Sequence, residues 1–159
     1  MAYRVKILKT LTVLFLLLNS AVYADAAKVV YDLTSGDVRK IKKHLIKSVN
    51  AVSDYYKSKN TELHVIVVIS GDAYKFFVED LKNSPYANDA EVQKVQAEIK
   101  PLLEKLHADK HVTYNMCQTG MKARHIKKET LYKFVNADMM KSIYLISAQN
   151  DGYAYMPIH

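Results

Sequence analysis

The chain has 159 residues, half of them hydrophobic, with 23 Lys+Arg, 16 Asp+Glu, one Cys, four Gly and three Pro. That length suits one domain plus a processed segment and excludes two ordinary catalytic domains. A single Cys excludes a disulfide framework and any zinc site built from two or more thiolates. The formal charge of +7 points towards nucleic acid or an anionic membrane.

Residues 1–24 read as a secretory signal peptide. Arg4, Lys6 and Lys9 form a basic start without any acid, Leu11 to Leu18 form an apolar run, and Val22-Tyr23-Ala24 supplies a cleavage site after Ala24. The run is short of the roughly 20 residues that a spanning helix needs. The expected product is an exported, periplasmic domain of residues 25–159 with no stable membrane span after cleavage. Removal takes three basic residues and no acidic one, so the balance falls from +7 to +4. With no RNP-like motif, base-reading basic helix or Cys/His finger, nucleic acid is not an expected partner.

The mature chain alternates strands and helices. Residues 28–33 (KVVYDL) are a strand, ended by Thr34-Ser35-Gly36. Ser35 or Asp37 caps a helix in which Val38, Ile41, Leu45, Val49, Val52 and Tyr56 recur on one face, closed by Asn60. The run 63–69 (LHVIVVI) is β-branched and almost wholly apolar, as expected of a parallel strand buried on both faces. Ser70-Gly71-Asp72 turns into a short helix over 73–81, and residues 83–88 form a loop. Asp89 caps the next helix, with Val92, Val95, Ile99, Leu102 and Leu106 on its apolar face and Pro101 expected to kink or divide it.

The third strand spans 112–117 (VTYNMC) and turns at Gln118-Thr119-Gly120 into a short basic helix or irregular stretch. Residues 131–135 read as a short strand or extended connection. A helix follows over 139–150, with Gly152 as a left-handed terminator, then a last strand over 153–156. Strands separated by helices imply right-handed crossovers, and hence a three-layer α/β/α domain with a mostly parallel central sheet.

Reactive groups in such sheets collect at the carboxyl ends of strands. Cys117 ends a strand there, Gly120 permits a tight turn, and Lys122, Arg124 and His125 add positive potential. A helix N-terminus and nearby cations favour the thiolate, the nucleophilic form. A lone Cys is otherwise often a small buried hydrophobe. One thiol cannot run an intramolecular dithiol exchange but suffices for a persulfide carrier. His107 and His111 are four apart but lack an acidic third ligand, so no metal is expected there. Met116, Met121, Met139, Met140 and Met156 read mainly as packing residues rather than soft-metal ligands. No cofactor-binding motif is present: there is no phosphate loop, nucleophile elbow or H-E-x-x-H.

Four stretches together resemble the DsrE/DsrF-like family of sulfur-relay proteins, which includes the TusD-type carriers: 28–33 followed by a helix containing Asn50; 64–71 followed by Ala73-Tyr74-Lys75-Phe76-Phe77; 116–122 (MCQTGMK); and 149–157 (QNDGYAYMP). The resemblance implies a DsrEFH-like fold and a homo-oligomer, a trimer or hexamer. It also implies that Cys117 accepts a persulfide sulfur from a donor protein or small sulfur compound and passes it on. Gly71 and Gly120 would shape loops nearby, while Gln149, Gly152 and Tyr153 would be structural or interfacial. The described relay members are cytoplasmic, whereas this chain carries an export signal. Two other expectations stand beside this one: a non-catalytic binding or assembly module on the same fold, and a thiol redox or soft-metal protein.

Overall fold

Two apolar runs meet first: β1 (Ala27–Leu33) lies parallel to β2 (Leu63–Ile69), with Ala27 opposite Leu63 and Leu33 opposite Ile69. β3 (Thr113–Met116) flanks β2, β4 (Val135–Asn136) lies beyond it, and β5 (Ala154–Ile158) takes the other side of β1. The sheet therefore has five strands in the order β4-β3-β2-β1-β5, and every pairing is parallel. This computed structural model describes residues 26–159. The expected signal peptide and its cleavage site lie outside the described residues. Among those described, no helix is long and apolar enough to cross a membrane.

Crossover handedness explains the layers. The chain steps from β1 to β4 in one direction, then returns past β1 to add β5. Right-handed connections made in opposite directions fall on opposite faces of a sheet. Accordingly α1 (38–58) and α2 (Ala90–Lys110) build the main core on one face, with Ile41, Leu45, Val49, Ile99, Leu103 and Leu106 buried. The return helix α4 (Lys141–Asn150) covers the other face, where Tyr144 and Ala148 pack on Val30 and Val68. A short α3 (Gln118–Ala123) follows β3.

Several local expectations are refined. Asp37 and Asp89 do cap, accepting from the N–H groups of Arg39 (2.8 Å) and Val92 (2.9 Å). α1 contains a π-helical stretch, Ile41–Lys47, which brings Ile46 into the core beside Leu45. The segment expected as a helix over 73–81 is instead a 3₁₀ helix, Gly71–Phe77, which ends as Val78 bridges antiparallel to Leu131. α2 runs undivided through Pro101, which sits on its exposed side, where water can serve the carbonyl that proline leaves unpaired. Leu103 rather than Leu102 joins Leu106 as a fully buried leucine of this helix.

Residues 118–120 are not a turn but the first residues of α3, because Cys117 already acts as its N-cap position. α4 starts at Lys141 rather than Met139. It ends with Gly152 at φ +85°, where the N–H groups of Gly152 and Tyr153 close on the carbonyls of Gln149 and Ala148. β5 extends to Ile158; as an edge strand it tolerates Pro157.

Leu45 has no exposed surface and sits where the π-helical stretch meets the sheet. Leu45→Ala is expected to cost about 2–5 kcal/mol, from lost burial and the cavity it leaves. A shift in the midpoint of urea unfolding checks this.

Candidate functional site

In a parallel sheet every strand delivers its carboxyl end to the same edge, so the loops after β1, β2, β3 and β4 converge. The first two are locked together at Gly71, whose φ is +60°. A Cβ there would lie 2.8 Å from the Thr34 carbonyl, the same oxygen that accepts from the Asp72 N–H at 3.0 Å. The third loop is tied to β2, since the Cys117 N–H donates to Ile69 at 2.9 Å. The fourth is tied to the third by the Gln118 N–H, which donates to the Met139 carbonyl at 3.0 Å.

Cys117 follows β3 directly and is 8% exposed. Burial pushes its thiol upward, but this is outweighed by N–H groups directed at the sulfur. The Gly120 N–H is the strongest of these, followed by that of Lys141, then the Tyr74 hydroxyl and the Thr119 N–H. The net result is a thiol held below its ordinary value. The starts of α3 and α4 thus both lie beside one sulfur, an arrangement that favours an anion.

Tyr74, from the 3₁₀ helix after β2, is 1% exposed and donates its hydroxyl to the Cys117 carbonyl at 2.9 Å. Burial, helped by the neighbouring Cys117, raises the Tyr74 phenol well above its ordinary range, so it remains a neutral donor. Gly120 makes room for it. The glycine is helical, not in a tight turn, and a Cβ there would fall 2.1 Å from the Tyr74 hydroxyl. Its role is therefore space and an N–H, rather than the turn expected from sequence.

The basic residues contribute differently from the sequence expectation. Arg124 lays its guanidinium over the Tyr74 ring at 4.9 Å. Lys122 and His125 are exposed, and His125 adopts φ +56° beyond the helix. The main influences lowering the thiol are backbone dipoles and Tyr74, not these side chains. His107 and His111 are also drawn apart in role: His107 stacks on Phe134 and bonds Val112, while His111 ends α2 in a left-handed conformation. Met116 and Met121 are buried, but Met139, Met140 and Met156 are exposed, which corrects their reading as packing residues. Among the described residues no group of three or more His, Cys, Asp or Glu could hold a metal ion.

Three participants were not singled out from sequence. Tyr74 looked like one more aromatic of a short helix. Lys141 acts through its backbone N–H, which carries no side-chain signature. Asp32 pairs with Lys141 at 2.8 Å and accepts from the Tyr155 hydroxyl at 2.9 Å. Its signal was present: a carboxylate interrupting the apolar strand KVVYDL.

The chain matches the model of the DsrE/DsrF-like family over residues 14–158. It is 27% identical over 144 residues to an uncharacterized protein of Aquifex aeolicus, an alignment covering 91% of this chain and 61% of that protein. The fold is similar to that of a protein of unknown function from Methanobacterium thermoautotrophicum (TM-score 0.64, 15% identity, 82% of this chain and 98% of that one). It also resembles the YchN protein of E. coli (TM-score 0.50, 17% identity, with the same coverage).

Gly120→Ala is expected to force Tyr74 off the Cys117 carbonyl, costing about 1–3 kcal/mol as that buried acceptor loses its partner. Tyr74→Phe, which leaves the same carbonyl without its donor, should cost a similar amount, and the double variant should lose less than the sum of the two. Thermal unfolding of the single and double variants measures both effects.

Proposed function

The chain belongs to the DsrE/DsrF-like family, and we propose that it is an exported member that carries sulfur as a persulfide on Cys117. One observation supports this most directly: a single cysteine at the carboxyl edge of a parallel sheet, at the N-cap position of α3 and beside the start of α4. The neighbouring N–H groups hold its thiol below the ordinary value. The same electrostatics that favour a thiolate favour a bound persulfide anion.

The chemistry is exchange at sulfur. The Cys117 thiolate attacks the outer sulfur of a donor persulfide, R–S–SH. A new S–S bond forms at Cys117, the donor's S–S bond breaks, and its electron pair leaves with R–S⁻. No external oxidant is consumed. An acceptor thiolate then takes the outer sulfur by the same step and restores the Cys117 thiolate. The N–H groups of Gly120 and Lys141 stabilise the anionic sulfur before and after each transfer, while Tyr74 holds the Cys117 backbone in place through its carbonyl. The donor and acceptor are proteins or small sulfur compounds with a sulfane sulfur, and the compartment is periplasmic.

A homo-oligomer, trimeric or hexameric, is part of the same reading. Met139 and Met140 just before α4, Ile143 and Ile146 on it, and Tyr155 and Met156 on β5 are exposed apolar residues, where a parallel sheet is ordinarily covered. The same surface favours a binding or assembly module as the second reading.

Incubated with polysulfide, the mature protein is expected to gain the mass of sulfur on Cys117, removable by dithiothreitol and absent in Cys117→Ser. Uptake no greater than that of an unfolded control thiol, read by intact-mass spectrometry, would sink the carrier and leave the assembly module.

Separately, alkylation of native Cys117 should reach its half-maximal rate at lower pH than alkylation of the unfolded chain, because the folded thiol is lowered. A stopped-time iodoacetamide titration checks the sign.

A further inference from the structure

Asp32 is the one Asp, Glu, Lys or Arg that is fully buried among the described residues, at 3% exposure. Its Oδ2 takes both partners, Lys141 Nζ at 2.8 Å and the Tyr155 hydroxyl at 2.9 Å. Its Oδ1 is buried with no partner at all. A carboxylate with half of its acceptor capacity unused is a poor stabilising device, because the lost hydration is only partly recovered. An apolar residue at this penultimate position of β1 would pack better, as Val30 does two residues earlier on the same face.

What Asp32 holds explains its presence. Lys141 is the first residue of α4, and its side chain reaches Asp32 at 2.8 Å. The start of the same helix lies beside Cys117, since Met139 accepts from the Gln118 N–H at 3.0 Å, and the Lys141 N–H is one of the groups that hold the thiol down. α4 has no capping side chain at Met140 and no acidic residue in its first turn. Asp32 supplies from a neighbouring strand the negative charge that the helix start lacks in its own sequence. The remaining ties at this end are the Met139 carbonyl on Gln118 and the Tyr144 hydroxyl, which accepts from the N–H groups of Asp138 and Met139.

We propose that Asp32 is a positioning residue for Cys117: by gripping Lys141 it fixes the start of α4 and holds the first N–H groups of that helix beside the sulfur. This rests on Cys117 as the working thiol. Asp32 touches neither the sulfur nor the donor; it acts through Lys141.

The test separates positioning from simple charge. The other ionisable groups nearby are Tyr74 and Arg124 beside the sulfur, Tyr155 beside the carboxylate, and the Lys128–Asp138 pair in the segment leading to α4. None is altered in the variants. Iodoacetamide alkylation of Cys117 is followed against pH in the wild type, Asp32→Asn and Lys141→Met, with circular dichroism confirming the fold. Positioning moves both profiles to higher pH, with alkylation at neutral pH about three- to tenfold slower. Charge alone moves them apart, since removing a negative group near the sulfur would lower the Asp32→Asn profile. An Asp32→Asn profile that is lowered or unchanged overturns the proposal. Where Asp32→Asn alone does not fold, the double variant Asp32→Asn/Lys141→Met leaves no unpaired buried charge and decides the matter. Its profile should rise, and a wild-type profile overturns the idea. Alkylation needs no sulfur donor, so the result stands whether or not Cys117 takes up sulfur from polysulfide.

Discussion

A parallel sheet sends every strand's carboxyl end to one edge, and this chain uses that constraint four times over. The loops after β1, β2, β3 and β4 meet as Thr34, Gly71, Cys117 and Met139, tied by backbone hydrogen bonds between neighbouring loops. No long excursion is needed to bring distant parts of the chain together. The reversal of direction after β4 adds the remaining component. It sends α4 to the opposite face, so its N-terminus approaches the sulfur from the side that α1 and α2 cannot reach. The site is thus a consequence of strand order before it is a consequence of any side chain.

Within that frame the sulfur is governed by a contest between burial and fixed dipoles. Burial alone makes Cys117 an inert thiol, like many solitary cysteines. The N–H groups of Gly120, Lys141 and Thr119, with Tyr74, tip it the other way. Dipoles of this kind are set by the backbone and cost no reorganisation when charge appears. Surface cations such as Lys122 are exposed, where solvent and salt weaken their field. The arrangement also accounts for Gly120. A side chain at that position would displace the Tyr74 hydroxyl, so the small residue and the aromatic one form a single fitted unit.

The sequence made the strand order's raw material readable because apolar runs and turn residues mark it directly: KVVYDL, LHVIVVI and VTYNMC lie on β1, β2 and β3. Cys117 was readable for the same reason, although the strand ends one residue earlier, at Met116, and Cys117 takes the N-cap position of α3. The π-helical stretch was not, because the spacing of Ile41, Leu45 and Val49 satisfies an ordinary helix equally well. Only the burial of Ile46 marks the difference. The 3₁₀ helix after β2 was hidden similarly, since its length is close to that of a short α-helix and Tyr74, Phe76 and Phe77 give no period long enough to measure. The Lys141 contact was beyond sequence reasoning altogether: a backbone N–H has no residue identity, and only the fold says where it points.

The two faces of the sheet are held with unequal strength, and this gives Asp32 its weight. On one side, α1, α2 and the 3₁₀ helix share a continuous apolar core. On the other, α4 rests on a small cluster built from Val30, Val68, Tyr144 and Ala148, and turns Ile143 and Ile146 outward. Stability is not uniform in such a molecule; the thinly packed element opens most easily. Yet α4 is the element whose start must stay in place against the sulfur. Apolar packing is non-directional and cannot by itself fix the first turn of a helix to a fraction of an ångström. A directed ion pair from β1, a strand paired on both sides, can. The unused acceptor on Asp32 then follows from its geometry: one oxygen is committed to the helix, and the other is left in the apolar interior that the tie must cross.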